Sequence, residues 1–164
     1  MGRQNGDIIM IRLAEKKDLA RINDLLGQVL TVHHNGRPDI FKPGCRKYTD
    51  SEILDIIASK ETPVFVYENE DGLVLGYCFT VIRVTEGDNI LRDMKTLYID
   101  DLCVDEKCRG GGVGRALYEY TLEYAKKIGC YNLTLNVWEC NPTAKRFYEK
   151  MGLLPQKTIM EKKL

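Results

Sequence analysis

The chain has 164 residues, 44% of them hydrophobic and 29% charged, with 24 Lys and Arg against 24 Asp and Glu. That length suits one domain with a real core, and the composition is too apolar for a disordered chain. A net charge of zero supplies no general field for nucleic acid or an anionic membrane, so neither is expected as a partner.

In chain order, Met1 to Asp7 has no apolar leader core, and no later apolar run approaches the ~20 residues of a membrane span. A cytoplasmic protein is expected. Ile8 to Leu13 reads as a short strand. A helix follows, with Asp18 near its start and Leu19, Ile22, Leu25, Leu26, Val29 and Leu30 on one stripe. Asn35 to Tyr48 turns polar, with Gly36, Pro38, Pro43 and Gly44, and reads as a loop. Thr49 or Asp50 caps a short second helix containing Ile53, Ile56 and Ile57. Pro63 to Glu68 and Leu73 to Val84 form a hairpin around Asp71-Gly72. After a loop at Gly87-Asp88-Asn89, Thr96 to Val104 is another strand. Gly110 to Gly114 opens a helix with Val113, Leu117, Tyr120, Tyr124 and Ile128 on one face, stopped by Gly129. Leu133 to Val137 is a strand, and Asn141-Pro142 begins a helix that ends at Gly152. Lys157 to Leu164 is expected as a last edge strand, able to pair between subunits in a homodimer. The order predicts an α/β (α+β) fold: a mixed, mostly antiparallel sheet with about four helices and one parallel β-helix-β step in the second half.

Six cysteines, Cys45, Cys78, Cys103, Cys108, Cys130 and Cys140, form no CxxC pair and read as reduced thiols. Adjacent side chains such as His33 and His34 do not converge on one ion, so no metal site is expected.

Chemistry concentrates first in Arg109-Gly110-Gly111-Gly112-Val113-Gly114, between a strand and a helix. Glycines remove the Cβ atoms that keep a ligand from the backbone, and the helix start offers unpartnered amides and a positive dipole end. Such a loop suits a diphosphate; the alternative is a glycine-rich turn without a ligand. A nucleotide P-loop would need Lys then Ser or Thr after the last glycine, where Arg115-Ala116 stands. A dinucleotide fingerprint would need a glycine where Leu117 stands. The remaining pattern, basic-x-x-Gly-x-Gly, resembles the acetyl-CoA diphosphate loop of the GNAT-type N-acetyltransferases. Ile99-Asp100-Asp101-Leu102-Cys103-Val104 and the stretch from Trp138 to Gly152 most resemble the diamine acetyltransferases of spermidine/spermine type. The likeness is specific from about Thr96 to Gly152.

A second motif lies in Asn141-Pro142-Thr143-Ala144-Lys145-Arg146-Phe147-Tyr148-Glu149-Lys150-Met151-Gly152. Asn141 is a good N-cap, Pro142 suits the first helical position and Gly152 the end. By its own spacing Tyr148 is an amphipathic residue at the edge of the stripe Ala144, Phe147 and Met151. The resemblance implies more: Asn141 binds the pantetheine arm, and Tyr148 stands beside the CoA sulfur. It further implies acetyl-CoA as co-substrate, direct attack of a neutral amine on the thioester, and an oxyanion donor among the backbone amides of Leu102, Cys103 or Val104. The diphosphate would sit on Arg109, Gly110, Gly111, Gly112, Val113 and Gly114, with Arg115 adding charge.

An alkylammonium must lose its proton before attack, which calls for a base. Strict alternation puts Asp100, Leu102 and Val104 on one face and Asp101 and Cys103 on the other. Only one aspartate would then face the amine, and Asp100 is the expected base, directly or through a water, where the polyamine enzymes carry glutamate. Tyr148 is the expected acid for the leaving thiolate. The acceptor is expected near His33, His34, Asn35, Arg37, Asp39 and Phe41, and the two aspartates point to a small cationic amine, a diamine or polyamine. Rival readings are a family member acting on a protein amine or an aminoglycoside, and an acyl-CoA sensor without catalysis.

Overall fold

Residues 10–164 are described by the structure, a computed structural model; Ile8 and Ile9 of the first predicted strand lie outside them. The strands are β1 (Met10–Leu13), β2 (Val64–Glu68), β3 (Val74–Thr85), β4 (Met94–Val104) and β5 (Asn132–Leu135). The helices are α1 (Leu19–Gly36), α2 (Asp50–Ala58), α3 (Val113–Lys127) and α4 (Pro142–Lys150). They form the predicted mixed sheet, in the order β1-β2-β3-β4-β5. The first three pairings are antiparallel and β4–β5 is parallel, joined through α3.

Apolar alternation divides the core into two layers. Val64 and Val66 face one way with Tyr77 and Phe79, under Ile22, Leu25 and Leu26 of α1 and Ile53 of α2. Phe65 and Tyr67 face the other way with Cys78 and Ile99, under Val113, Leu117 and Tyr118 of α3. Each such fully buried side chain contributes ~1.5–3 kcal/mol of transfer free energy. Thr49, not Asp50, caps α2: its hydroxyl accepts from the Glu52 N–H at 3.2 Å while Glu52 accepts from the Thr49 N–H at 2.7 Å. Asp18 is buried at the turn into α1 and takes two hydrogen bonds, at 2.8 and 3.0 Å, from the Arg12 guanidinium.

Two expectations fail. The buried stripe of α3 is Val113, Leu117, Tyr118, Thr121 and Ala125, rotated from the predicted one. Thr121 goes inward because its hydroxyl is satisfied by the Leu117 carbonyl at 2.7 Å, while Tyr120 and Tyr124 stand at the rim against Phe65. Nor is there a strand at Lys157 to Leu164. Charged side chains of that tail reach the loop after α1 instead: Glu161 pairs with Arg37 at 2.9 Å and Lys163 with Asp39 at 3.0 Å.

The layers meet most tightly at Gly76 of β3. A Cβ there would lie 2.7 Å from the Cys103 carbonyl oxygen, 3.1 Å from Leu117 and 3.3 Å from Val113. Gly76→Ala should therefore cost ~1–3 kcal/mol in urea unfolding through overpacking. Gly27→Ala, on an exposed turn of α1 with nothing within 4 Å of the new atom, should be neutral or stabilising. Equal effects of the two would contradict the close approach.

Candidate active site

The glycine loop is set in place by α1. Asp105, just past β4, donates its N–H to Leu75 O at 2.9 Å and accepts from the Lys107 N–H at 2.9 Å. Its carboxylate is ion-paired with Arg21 of α1, which also reaches Val74 O at 2.8 Å. Gln28 Oε1 takes the Glu106 N–H at 3.0 Å. Beyond these ties, Gly110 and Gly112 adopt φ of 83° and 87°, and Gly112 N-caps α3. A Cβ on either would meet nothing within 4 Å, so the space above the loop is open. The first helical bond runs from Ala116 N–H to Gly112 O at 3.0 Å. The amides of Val113, Gly114 and Arg115 therefore belong to the first turn, without intrahelical acceptors, and form a seat for a phosphate anion. Arg109 donates to Val104 O at 3.3 Å. Arg115 pairs along its own helix with Glu119 at 2.9 Å on an exposed face.

Next to the loop runs an unpaired strand edge. β5 pairs with β4 only from Thr96↔Asn132 to Ile99↔Leu135, so β4 has no strand on that side from Asp100 to Val104. Ladder parity decides which groups face this edge. Asp105 donates to Leu75, and Tyr77 is opposite Cys103 in the same register, so Cys103 spends its amide on β3. Leu102 and Val104 turn theirs outward. Of the three predicted amide donors, two point at the edge. The Cys103 thiol is buried against Leu25 O at 3.4 Å, and burial pushes it up to about 12.

The predicted alternation breaks at Asp100. Phe79 is opposite Asp101 and Thr80 opposite Ile99, which makes Asp100 the extra residue of a β-bulge. The bulge corrects the expectation that only one aspartate faces the acceptor side. Asp100 accepts from Lys47 Nζ and Tyr48 OH, both at 2.8 Å, and Asp101 accepts from Tyr77 OH at 2.8 Å. Tyr48 and Tyr77 both pack on Phe79, so both carboxylates lie on the α1–α2 side. Their titrations separate. Burial pushes Asp100 up, but the bonds from Lys47 and Tyr48 outweigh it and hold it below the usual range. Burial pushes Asp101 above that range, against the pull of Lys47 and Tyr77.

On the opposite wall, Tyr148 of α4 has no hydrogen-bond partner for its hydroxyl among the described residues. Burial, followed by the nearby Cys78 and Asp101, raises its pKa and keeps it a neutral phenol. Asn141 caps α4 by accepting the Ala144 N–H at 3.1 Å, which leaves its NH2 as a donor. His33 stacks on Phe41 at 5.1 Å, and Phe41 meets Trp138 edge-on at 5.2 Å. These parts line one cleft of about 910 Å³, running from Gly110 and Gly112 past Leu102 and Tyr148 to Lys47, Asp100 and Asp101. That is the size of a small-molecule site.

Of the residues expected near the acceptor, His33 and Phe41 line this cleft. Arg37 and Asp39 pair with each other at 2.9 Å and hold the tail, and His34 Nδ1 bonds Phe41 O at 2.8 Å. Sequence reasoning missed Lys47, Tyr48 and Tyr77. Nothing local marks Lys47, whose partner is 53 residues away. Trp138, the only tryptophan, was legible as an aromatic after a strand, though not as a cleft wall. Among the described residues, no group of three or more His, Cys, Asp or Glu side chains is placed to hold a metal. No described helix is long and apolar enough to cross a membrane.

Residues 32–153 match the sequence model of the acetyltransferase (GNAT) family. The chain is similar in structure to a mutant of the BH1408 protein from Bacillus halodurans, with a TM-score of 0.91 and 32% identity over 94% of this chain and 99% of that one. It is 31% identical to an uncharacterized N-acetyltransferase, MJ1530, from Methanocaldococcus jannaschii, over 70% of this chain and 80% of that one. It is also 34% identical to glucosamine 6-phosphate N-acetyltransferase from Arabidopsis thaliana, over 42% of this chain. That match spans 44% of the plant protein, less than half its length.

Carboxyl titration followed by NMR should separate the two aspartates, with Asp100 below the ordinary carboxylate range and Asp101 above it. Lys47→Met should move both upward, because the lysine lowers both. Coincident titrations in the unaltered protein would contradict the arrangement.

Proposed function

The chain belongs to the acetyltransferase (GNAT) family, and from that premise we propose that it is an acyl-CoA-dependent N-acetyltransferase. It moves an acetyl group from acetyl-CoA to a small cationic primary amine by direct attack in a ternary complex. The observation that carries this reading is a single cleft joining an anion seat, an outward amide edge, a neutral phenol and two carboxylates.

Acetyl-CoA is a substrate here, and the residues present suit it. The amides after Gly112 receive the diphosphate, on a loop whose glycines leave the backbone uncovered. Leu102 and Val104 offer the pantetheine amides the pairing that β5 withholds, with Asn141 as a further donor. One of those two outward amides is the oxyanion donor; a pre-organised donor of this kind is worth ~3 kcal/mol. Arg115, paired with Glu119, adds only solvated charge near the phosphates.

Proton traffic follows from the titrations. The acceptor arrives as an ammonium and is unreactive until deprotonated. Asp101, held by Tyr77 and with a raised proton affinity, is the better placed base. Asp100 is held as a carboxylate by Lys47 and Tyr48, so it orients the amine, or its water, more readily than it takes a proton. This exchanges the roles expected from strand alternation and from the position of the polyamine enzymes' glutamate. Activity should rise with pH as Asp101 loses its proton. Tyr148, kept neutral by burial, protonates the departing thiolate.

The named relatives are similar in fold and family and leave the acceptor to the chemistry of the chamber. An acid pair favours an amine that arrives positively charged; the spermidine-type expectation rests on the resemblance of Ile99 to Val104 and of Trp138 to Gly152 together with those acids, and takes no account of Lys47. The described cysteines are all unpaired, which suits the reducing cytoplasm.

Purified protein given acetyl-CoA and short primary amines should release free CoA thiol and acetylated amine. Tyr148→Phe should lower kcat roughly 10²–10⁴-fold, the usual worth of a positioned acid, with acetyl-CoA binding by calorimetry nearly unchanged. Failure of the folded protein to bind acetyl-CoA would overturn the assignment. Binding without thiol release for any amine would favour an acyl-CoA sensor.

A further inference from the structure

The acceptor end of the cleft holds a cation of its own. Lys47 comes from the loop between α1 and α2 and lines the cleft together with Asp100 and Asp101. Its ammonium lies 2.8 Å from Asp100 Oδ2 and 5.2 Å from the centre of the Tyr48 ring. The phenols of Tyr48 and Tyr77 hold the two carboxylates at 2.8 Å each without lining the cleft themselves. The carboxylates are thus fixed from behind by neutral donors and faced from the front by one lysine.

The reach of that lysine is visible on both sides. Its charge acts on Asp101 as well as on Asp100. Across the chamber, His33 is pushed toward its neutral form by burial first and by Lys47 second. The other groups around the pair add little charge. Tyr48, Tyr77, Cys78, Cys103 and Tyr148 are neutral; Arg83 is exposed, with its guanidinium 3.5 Å from the centre of the Tyr98 ring, and its charge reaches Asp100 as the smallest of the causes named there, after Lys47 and Tyr48. Two carboxylates and one fixed ammonium leave room for one further positive charge. Val29, Val32, Phe41 and Trp138 add apolar and aromatic surface to the same cleft.

We propose that Lys47 is a specificity-determining residue, a built-in ammonium that occupies the seat a second acceptor charge would take and so selects primary monoamines with an apolar body over diamines. The proposal rests on the acetyltransferase reading above and narrows its acceptor. A diamine brings one nitrogen to Asp101 and a second, still protonated, toward Asp100, where Lys47 already stands. Like charges at such distances in a partly solvated site repel enough to cost about tenfold in kcat/KM. A monoamine of equal length presents a methyl carbon there and meets no such repulsion.

The test compares butylamine with diaminobutane as acceptors at saturating acetyl-CoA. The unaltered enzyme should favour butylamine by about tenfold in kcat/KM. Lys47→Met and Lys47→Gln should shift the ratio toward the diamine by about tenfold or more, because the diamine's second ammonium then supplies the missing partner of Asp100. Lys47→Arg should retain the original preference. A merely structural lysine would lower both rates together and leave the ratio unmoved, and that result overturns the proposal while leaving the acetyltransferase reading intact. Acetylation of neither amine by any form that still binds acetyl-CoA overturns the amine reading and this one with it. Should neither neutral variant fold, the unaltered enzyme decides alone: preference for the diamine sinks the proposal.

Discussion

A strand hydrogen-bonded on one side only is the constraint on which the rest of this molecule depends. β4 keeps an antiparallel partner at every residue but Asp100, whereas β5 leaves it after Ile99. An unpaired edge is ordinarily a liability, since it offers amides and carbonyls to any passing chain. Here it lies inside a cleft walled by α1, α3 and α4, where only a ligand of suitable width can reach it. The bulge at Asp100 stands where the partner strand departs. There it turns the acids toward one chamber while leaving Leu102 and Val104 outward. One local irregularity thus separates a binding edge from a reacting end.

Keeping that edge open takes contacts from distant parts of the chain. Arg21 and Gln28 of α1 hold Asp105 and Glu106, the residues that lead from the strand into the glycine loop. On the opposite wall, Gly36 at the end of α1 lies so close to Cys140 that a Cβ would come within 2.8 Å of its sulfur. Phe41 meets Trp138 in the same region. Gly114 brings α3 against Val104 and Phe147, at 3.3 and 3.6 Å from a hypothetical Cβ. The cleft is therefore a gap between braced walls, as pre-organised binding requires.

Features written in a few consecutive residues were legible from the sequence. Gly112 at the start of α3, Asn141 and Pro142 at the start of α4, and a cap at Thr49 or Asp50 each follow from one residue's own conformational or hydrogen-bonding preference. The mixed sheet with its one parallel step followed from element spacing and the hairpin at Asp71-Gly72. What stayed hidden depends on pairing across the chain. The bulge exists because ten residues of β3 meet eleven of β4, which no reading of β4 alone reveals. Lys47 looks like any loop lysine until the fold brings it to Asp100. The tail reads as a strand by composition, yet Glu161 and Lys163 are drawn to Arg37 and Asp39. In each case tertiary electrostatics or register overrode a sound local preference.

Burial acts in the same direction on both groups proposed to move protons, and this ties the two ends of the reaction together. It raises the proton affinity of both Asp101 and Tyr148. The charge on Asp101 is also among the causes that keep the phenol protonated. On the proposed assignment, the negative charge waiting at Asp101 holds the tyrosine's proton in reserve while the amine approaches. Once Asp101 has taken the ammonium proton it is neutral, and that restraint on Tyr148 is relieved just as the thiolate begins to leave. Lys47 bears on this coupling because it stabilises both carboxylates. A stronger cation there would make Asp101 a poorer base, and removing the lysine would raise its proton affinity further. The lysine beside Asp100 therefore sets a compromise between collecting the first proton and releasing the second.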